Sequence, residues 1–207
     1  MILVGLIAPA LGDAVSRARL TRDLGTVRQQ AMLISMYTAD SDDTYPIATV
    51  EVGQLFRAAA DWGVPLIETG HADSVLQLDP DVDRGLEPSY MMSIAMVFDA
   101  NQMRPGQVPP REQQRPSATR THQVIYPSSK GLTYRLWDGQ PPETFGGENS
   151  FCCAASHQLW PTPVSFADGS AASGTMREFL GSSPLYMEHD IGAPVHSTWF
   201  GVRGRDR

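Results

Sequence analysis

The stretch LGDAVSRARLTRDLGTVRQQAMLISMYTAD, residues 11–40, decides the fold. Leu11, Ala14, Val15, Ala18, Leu20, Leu24, Val27, Ala31 and Ile34 recur at steps of mostly three and four, the period of an amphipathic helix. Asp13 with Arg17, and Arg19 with Asp23, are spaced to pair on a solvated face. No proline lies between Pro9 and Pro46, so one helix is expected from Met1 to Asp40, about 60 Å long at about 1.5 Å per residue. Pro9 is expected to kink or loosen it, because proline removes a backbone donor. The helix should stop in Ala39-Asp40-Ser41-Asp42-Asp43-Thr44-Tyr45-Pro46, a dense run of turn formers.

Upstream, Met1 to Leu11 is apolar throughout, with no basic residue ahead of it and no small-residue cleavage site after it. It is too short to span a bilayer, which takes about 20 apolar residues. Residues 1–12 read as the second half of a longer apolar segment, with the first half expected upstream of Met1.

Downstream the texture changes. Of the 16 prolines all but Pro9 lie beyond residue 40, so residues 41–207 read as a separate, loop-rich head. A second helix is expected from Glu51 to Trp62, with Val52, Leu55, Phe56 and Ala59 inward and Gly63 and Pro65 as its stop. Ser89–Phe98 is a continuous apolar run, expected as a buried strand, and Asn101–His122 as a long surface loop. Further strands are expected at Gln123–Tyr126, Leu132–Trp137, Val164–Ala167 and Val195–Val202. The short connections favour antiparallel pairing, giving an α+β fold: a long N-terminal helix packed on a mostly antiparallel sheet.

At 207 residues the chain can hold one good-sized core. Sixteen Lys and Arg against 23 Asp and Glu give a formal charge of −7, which argues against nucleic acid as a partner. Cys152 and Cys153 are adjacent, without zinc-ligand or CxxC spacing; free thiols and a strained vicinal disulfide are both open. The five histidines, at 71, 122, 157, 189 and 196, form no metalloprotease pattern, and no nucleophile elbow, P-loop or dinucleotide fingerprint occurs. No enzymatic activity and no cofactor are therefore expected. Asp79-Pro80-Asp81-Val82-Asp83 opens like a calcium loop, but Gly85 comes one position late and no glutamate closes it. The acidic knot Asp40, Asp42, Asp43 reads as a solvated helix end. A loop with Arg104, Arg111, Arg115 and Arg120 has a local positive excess.

Residues Leu6–Ala14 followed by Ser16-Arg17-Ala18-Arg19, then Leu24–Gln30, Met36–Asp40 and Tyr45-Pro46, resemble the N-terminal helix of type IV pilins and type II secretion pseudopilins. The later passages are similar to the "NLRQ … YANDN … YP" run of one large bacterial group of pseudopilin-like proteins. That group also has a C-terminal signature in which a histidine precedes an Asp-Gly. Its counterparts here are His157 and Phe166-Ala167-Asp168-Gly169-Ser170, with a spacing one residue longer than usual. Tyr126-Pro127-Ser128-Ser129-Lys130 adds a further point of likeness.

The resemblance implies a non-catalytic filament subunit of a secretion or pilus-like system. Its apolar segment would sit in the inner membrane with the head in the periplasm, and then pack into a filament with copies of itself or other pseudopilins. Leu3, Leu6, Ile7, Pro9 and Leu11 would carry that packing, while Leu20, Leu24, Val27, Ala31 and Ile34 dock on the head's own sheet. A basic leader, a processing site and a glutamate are expected upstream of Met1. Calcium sites occur in the heads of such proteins, and none can be placed here from sequence. Phe166–Ser170 reads independently as a strand running into a tight turn in which Gly169 takes positive φ. The competing reading is a soluble periplasmic or extracellular ligand-binding module with a remnant hydrophobic N-terminus and an aromatic groove lined by Tyr134, Trp137, Phe151 and Trp160.

Overall fold

The computed structural model describes residues 2–80, 89–104, 109–135, 161–175, 178–179 and 200–207. Its first element, α1 (Ile2–Asp40), is one continuous helix of 39 residues that runs through Pro9 without a break. From residue 23 onward one side of α1 is buried, at Asp23, Val27, Gln30, Ala31, Ile34 and Thr38. Those steps follow the 3.6-residue period, so a single stripe meets the head. Val27 and Ile34 lose essentially all solvent contact, worth about 1.5–3 kcal/mol each by transfer of a branched aliphatic side chain.

The stripe lies on a four-stranded sheet, β1 (Tyr90–Met92), β2 (Gly131–Arg135), β3 (Thr162–Phe166) and β4 (Ala171–Gly174). The strands run in the order β1-β2-β3-β4 and every neighbouring pair is antiparallel. Helix α1 packs across β2, β3 and β4. The α+β class expected from sequence is the class observed. The β2–β3 register slips between Gly131 and Tyr134. Ser165 fills that gap: its Oγ accepts the Thr133 N–H at 3.1 Å and lies 2.7 Å from Thr133 Oγ1.

Beyond α1, Asp42 and Asp43 take φ of 50° and 57°, the left-handed region that aspartate tolerates better than most residues. The Asp43 N–H caps the helix on the Thr38 carbonyl at 2.9 Å. The second helix is shorter than expected. It splits into α2 (Leu55–Ala60) and α3 (Val64–Glu68), followed by α4 (Val75–Leu78). Val52, expected inward, is 51% exposed because it precedes the helix, in a turn. Pro65 opens α3 instead of stopping α2, since a proline in a first helical turn loses a donor that would be unpaired anyway. Gly63 is fixed by packing: a Cβ there would meet Leu78 Cδ1 at 2.4 Å.

The apolar run Ser89–Phe98 is strand only over Tyr90–Met92; Ile94–Met96 turn as a 3-10 helix. Every residue of the run is buried, and a run buried on all sides leaves no periodicity from which strand and turn could be told apart. The expected surface loop after residue 101 is mostly exposed, as expected, but it anchors to the core at a few points. Met103, Gln114 and Thr119 are buried, Pro116 bridges to Phe98, and Arg120 bridges to Thr44. Gln123–Tyr126 is not a strand but links two 3-10 turns, Thr121–Gln123 and Pro127–Ser129. Of the last expected strand, residues 200–202 belong instead to a left-handed Phe200 and the 3-10 turn Gly201–Arg203. The strand β3 starts earlier than its Pro-x-Pro flank suggested; Pro163 is its second residue, near the strand start where a missing donor is tolerated. Tyr134 is 1% exposed in the core, not in a groove. Trp137, Phe151, Trp160, Cys152 and Cys153 lie outside the described residues.

Two buried phenols make the fold sensitive to alkali. Burial pushes Tyr45 up to about 12. Tyr90 is also raised, first by burial and then by the Asp23 carboxylate beside it. The folded chain therefore keeps protons that the unfolded chain releases above its ordinary tyrosine value near 10, so their contribution is whole below about pH 10 and is lost as pH rises toward about 12. Urea midpoints measured across that interval should fall steadily. In Tyr45→Phe the fall should be shallower, by about 2 kcal/mol at the top of the range.

Candidate assembly interface

Residues 11–19 of α1 are all exposed, Leu20 is half-buried, and from residue 11 onward Asp23 is the first to be buried. The 21 residues of α1 before Asp23 amount to about 31 Å of helix at about 1.5 Å per residue. Leu3, Leu6, Ile7 and Pro9 all lie on this continuous segment. Leu11 is 62% exposed and Val15 42% exposed, one turn apart. Among the described residues no helix is long and apolar enough to cross a membrane.

Where the helix meets the head, a polar latch fixes it. The side chain of Asp23 is 6% exposed. Its Oδ1 accepts from Arg22 Nε and Nη2 at 3.1 and 3.0 Å and from the Tyr90 hydroxyl at 3.1 Å, and its Oδ2 pairs with Arg135 Nη1. The Arg135 guanidinium also stands over the Tyr90 ring, 5.7 Å from its centroid. The expected surface pairing of Asp23 with Arg19 is not formed. Asp23 sits on the docking face, four residues before Val27, and the sheet supplies its partners. A carboxylate taken out of water needs such charged and hydroxyl donors to offset its desolvation.

A second latch joins the segments that flank the turn signature. The Asp168-Gly169 turn closes the β3–β4 hairpin, with Gly169 at φ +83°. Asp168 Oδ1 accepts from the Ser170 N–H at 2.9 Å and hydroxyl at 2.6 Å, so the carboxylate is engaged in shaping its own turn. The turn is held against Tyr126–Lys130 through Asp168 N–H to the Pro127 carbonyl and Ala167 N–H to the Lys130 carbonyl. Lys130 is fully buried and meets Asp206 at 3.0 Å, also fully buried. Asp206 Oδ2 accepts the Gly131 N–H at 2.7 Å, and the Asp206 N–H donates to the Ser129 carbonyl at 2.8 Å. Burial pushes the Lys130 ammonium down from its ordinary range, while Asp206 pulls it back up. The structure thus gathers Tyr126–Lys130, Phe166–Ser170 and Asp206 into one cluster. His157 lies outside the described residues.

Sequence reasoning missed Tyr90, Arg135 and Asp206. A charged residue falling on an apolar helical stripe was the available signal for Asp23; no local signal names its partners. The acidic segment after Asp79 is also partly resolved: Asp79 is buried and its Oδ2 accepts the Ser89 N–H at 2.6 Å, while residues 81–88 lie outside the described part. At the C-terminal end of α1, Asp40 Oδ2 meets His71 Nε2 at 3.0 Å, and His71 Nδ1 meets Thr69 Oγ1 at 2.8 Å. The Thr69 hydroxyl donates to the Pro65 carbonyl at 2.7 Å, so this line ties α3 to α1 instead of presenting a nucleophile. Among the described residues no group of three or more His, Cys, Asp or Glu side chains could hold a metal ion.

Comparison with models of known protein families, with curated proteins and with solved structures gives no match.

Asp23→Ala removes a carboxylate that Arg22, Arg135 and the Tyr90 hydroxyl all bind, and is expected to cost about 2–4 kcal/mol in urea denaturation. Asp206→Ala removes the carboxylate that meets the buried Lys130 ammonium at 3.0 Å, together with the acceptor of the Gly131 N–H, and should lower stability by roughly 2–4 kcal/mol in urea denaturation. Gly169→Ala forces a Cβ into the left-handed region with open space around it, so about 1 kcal/mol is expected, with the fold unchanged by circular dichroism.

Proposed function

We propose that this chain is a non-catalytic, pilin-like assembly subunit that joins copies of itself or related subunits through its N-terminal helix. The supporting observation is that α1, 39 residues long, meets the head through the stripe from Asp23 to Thr38, while residues 11–19 before that stripe are exposed, the apolar Leu11 and Val15 among them. A helix that long is marginal unless its free part finds a packing partner, because helical stability in proteins comes mainly from tertiary contact. The resemblance of residues 6–46 to pilin and pseudopilin helices supports the same reading. In it, the segment up to Leu11 rests in the inner membrane before assembly, with the head on the periplasmic side, and moves into a filament core afterwards. The latch at Asp23 holds the head on its helix, and the Lys130–Asp206 pair ties the head together, as a subunit under axial load requires. Secretion and pilus-type filaments are equally compatible with this geometry.

The test is assembly of the purified full chain, followed by sedimentation velocity and negative-stain electron microscopy. Concentration-dependent oligomers or filaments are expected, and the double variant Leu11→Asp/Val15→Asp should abolish them while leaving thermal unfolding of the head unchanged. A chain that stays monomeric at every concentration, in detergent and after its removal, would overturn the reading.

A further inference from the structure

The side of α1 turned away from the sheet carries an apolar series of its own. Leu11 and Val15 belong to it on the free half, and Met32 and Met36, 64% and 53% exposed, on the docked half. Ala18 and Gly25 stand between them, both exposed. Positions 11, 15, 18, 22, 25, 29, 32 and 36 advance by alternating steps of four and three, the heptad spacing of a seam that receives another helix. Only Arg22 and Gln29 interrupt it.

We propose that this seam binds the same helix of a second copy, parallel to the first and displaced by three heptads, about 31 Å along the axis at about 1.5 Å per residue. The inference rests on the assembly reading above and specifies its register. A displacement of one heptad would set Leu11 against Ala18 and Val15 against Arg22; two heptads would set them against Gly25 and Gln29. Three heptads set Leu11 on Met32 and Val15 on Met36, so exposed apolar side chains cover one another. The same displacement brings Arg19 level with Asp40, the last helical residue, whose side chain is 75% exposed.

Charge removes the two remaining apolar matches. With no displacement, Arg17, Arg19, Arg22 and Arg28 would each lie level with their own copies. An antiparallel pair matching Leu11 with Met36 and Val15 with Met32 would set Arg19 level with Arg28. In the three-heptad register the basic stretch instead meets the acidic end of α1. There Asp40 contacts His71, Asp42 and Asp43 are exposed, and Arg120 is the basic neighbour across the Thr44 bridge. Each copy offers a donor half and an acceptor half on different surfaces, so the contact is heterologous and propagates without closing.

The experiment places the photo-crosslinker p-benzoylphenylalanine at Leu11 or Val15 of the full chain and mixes nitrogen-15-labelled with unlabelled copies. Mass spectrometry then maps the intermolecular links. The expected result is Leu11 reaching Met32 and Val15 reaching Met36. Arg19→Asp should lower the yield roughly fivefold at low salt, an effect that screening removes at high salt. Asp40→Arg in the same chain as Arg19→Asp should restore it. Links from Leu11 to Met36 and from Val15 to Met32, or links within residues 11–18 of the two copies, would overturn the register while leaving assembly intact. Monomers with no intermolecular link would overturn the register together with the assembly reading.

Discussion

A mismatch of lengths governs this molecule. A five-residue strand such as β2 or β3 is about 17 Å long, β1 and β4 are shorter, and four strands side by side offer a helix little more than about 20 Å of surface in any direction. Helix α1 has 39 residues, about 58 Å at about 1.5 Å per residue. The sheet can bury only the second half, and it does so with the stripe from Asp23 to Thr38. The first half must be stabilised by something other than the head. That constraint explains both the amphipathic pattern of the docked half and the exposed apolar residues of the free half.

A helix held by one half acts as a lever on its docking site, and a polar latch stands where the lever is seated. Asp23 lies at the rim, where α1 leaves the sheet, and draws on one residue from its own helix, one from β1 and one from β2. These three elements are far apart in sequence, and this carboxylate binds a side chain from each of them. Apolar packing resists separation but tolerates sliding, whereas a carboxylate with three directed partners fixes rotation and register as well. The His71–Asp40 contact plays a lesser part at the opposite end, where Asp40 is well exposed and the pairing correspondingly weak.

The second polar centre closes the chain on itself. Asp206, next to the final residue, reaches the first residues of β2 and neutralises Lys130 in a site without solvent. Its neighbours Phe200 and Gly201 accept left-handed backbone to make the approach, and Gly201 is needed there because a Cβ would fall 2.8 Å from Met103 Sδ. A buried ion pair of this kind adds little net stability over an apolar pair of the same shape. It is costly to break from one side, however, and so specifies how the ends of the sheet are tied together. The Asp168-Gly169 hairpin, held on the Pro127 and Lys130 carbonyls, is part of the same closure.

The sequence by itself determined what depends on local, periodic chemistry. The 3.6-residue recurrence from Leu11 to Ile34, with no proline to interrupt it, specifies a long helix. The turn chemistry of residues 39–46 specifies its end, and Asp168-Gly169 specifies a hairpin with Gly169 at positive φ. Tertiary structure decided whatever depends on neighbours distant in sequence. Ser89–Phe98 could not be divided into strand and 3-10 turn, because a run buried on every side shows no alternation. Residues 109–123 look like a polar excursion and are mostly exposed or half-buried, yet Gln114, Pro116 and Thr119 are anchored inward, beside backbone bridges to Thr44 and Phe98 that no local pattern announces. The partners of Asp23 and Lys130 lie 112 and 76 positions away along the chain, at Arg135 and Asp206. No local pattern encodes such pairings, since a charge shows its own sign in the sequence but not which opposite charge the fold will bring beside it.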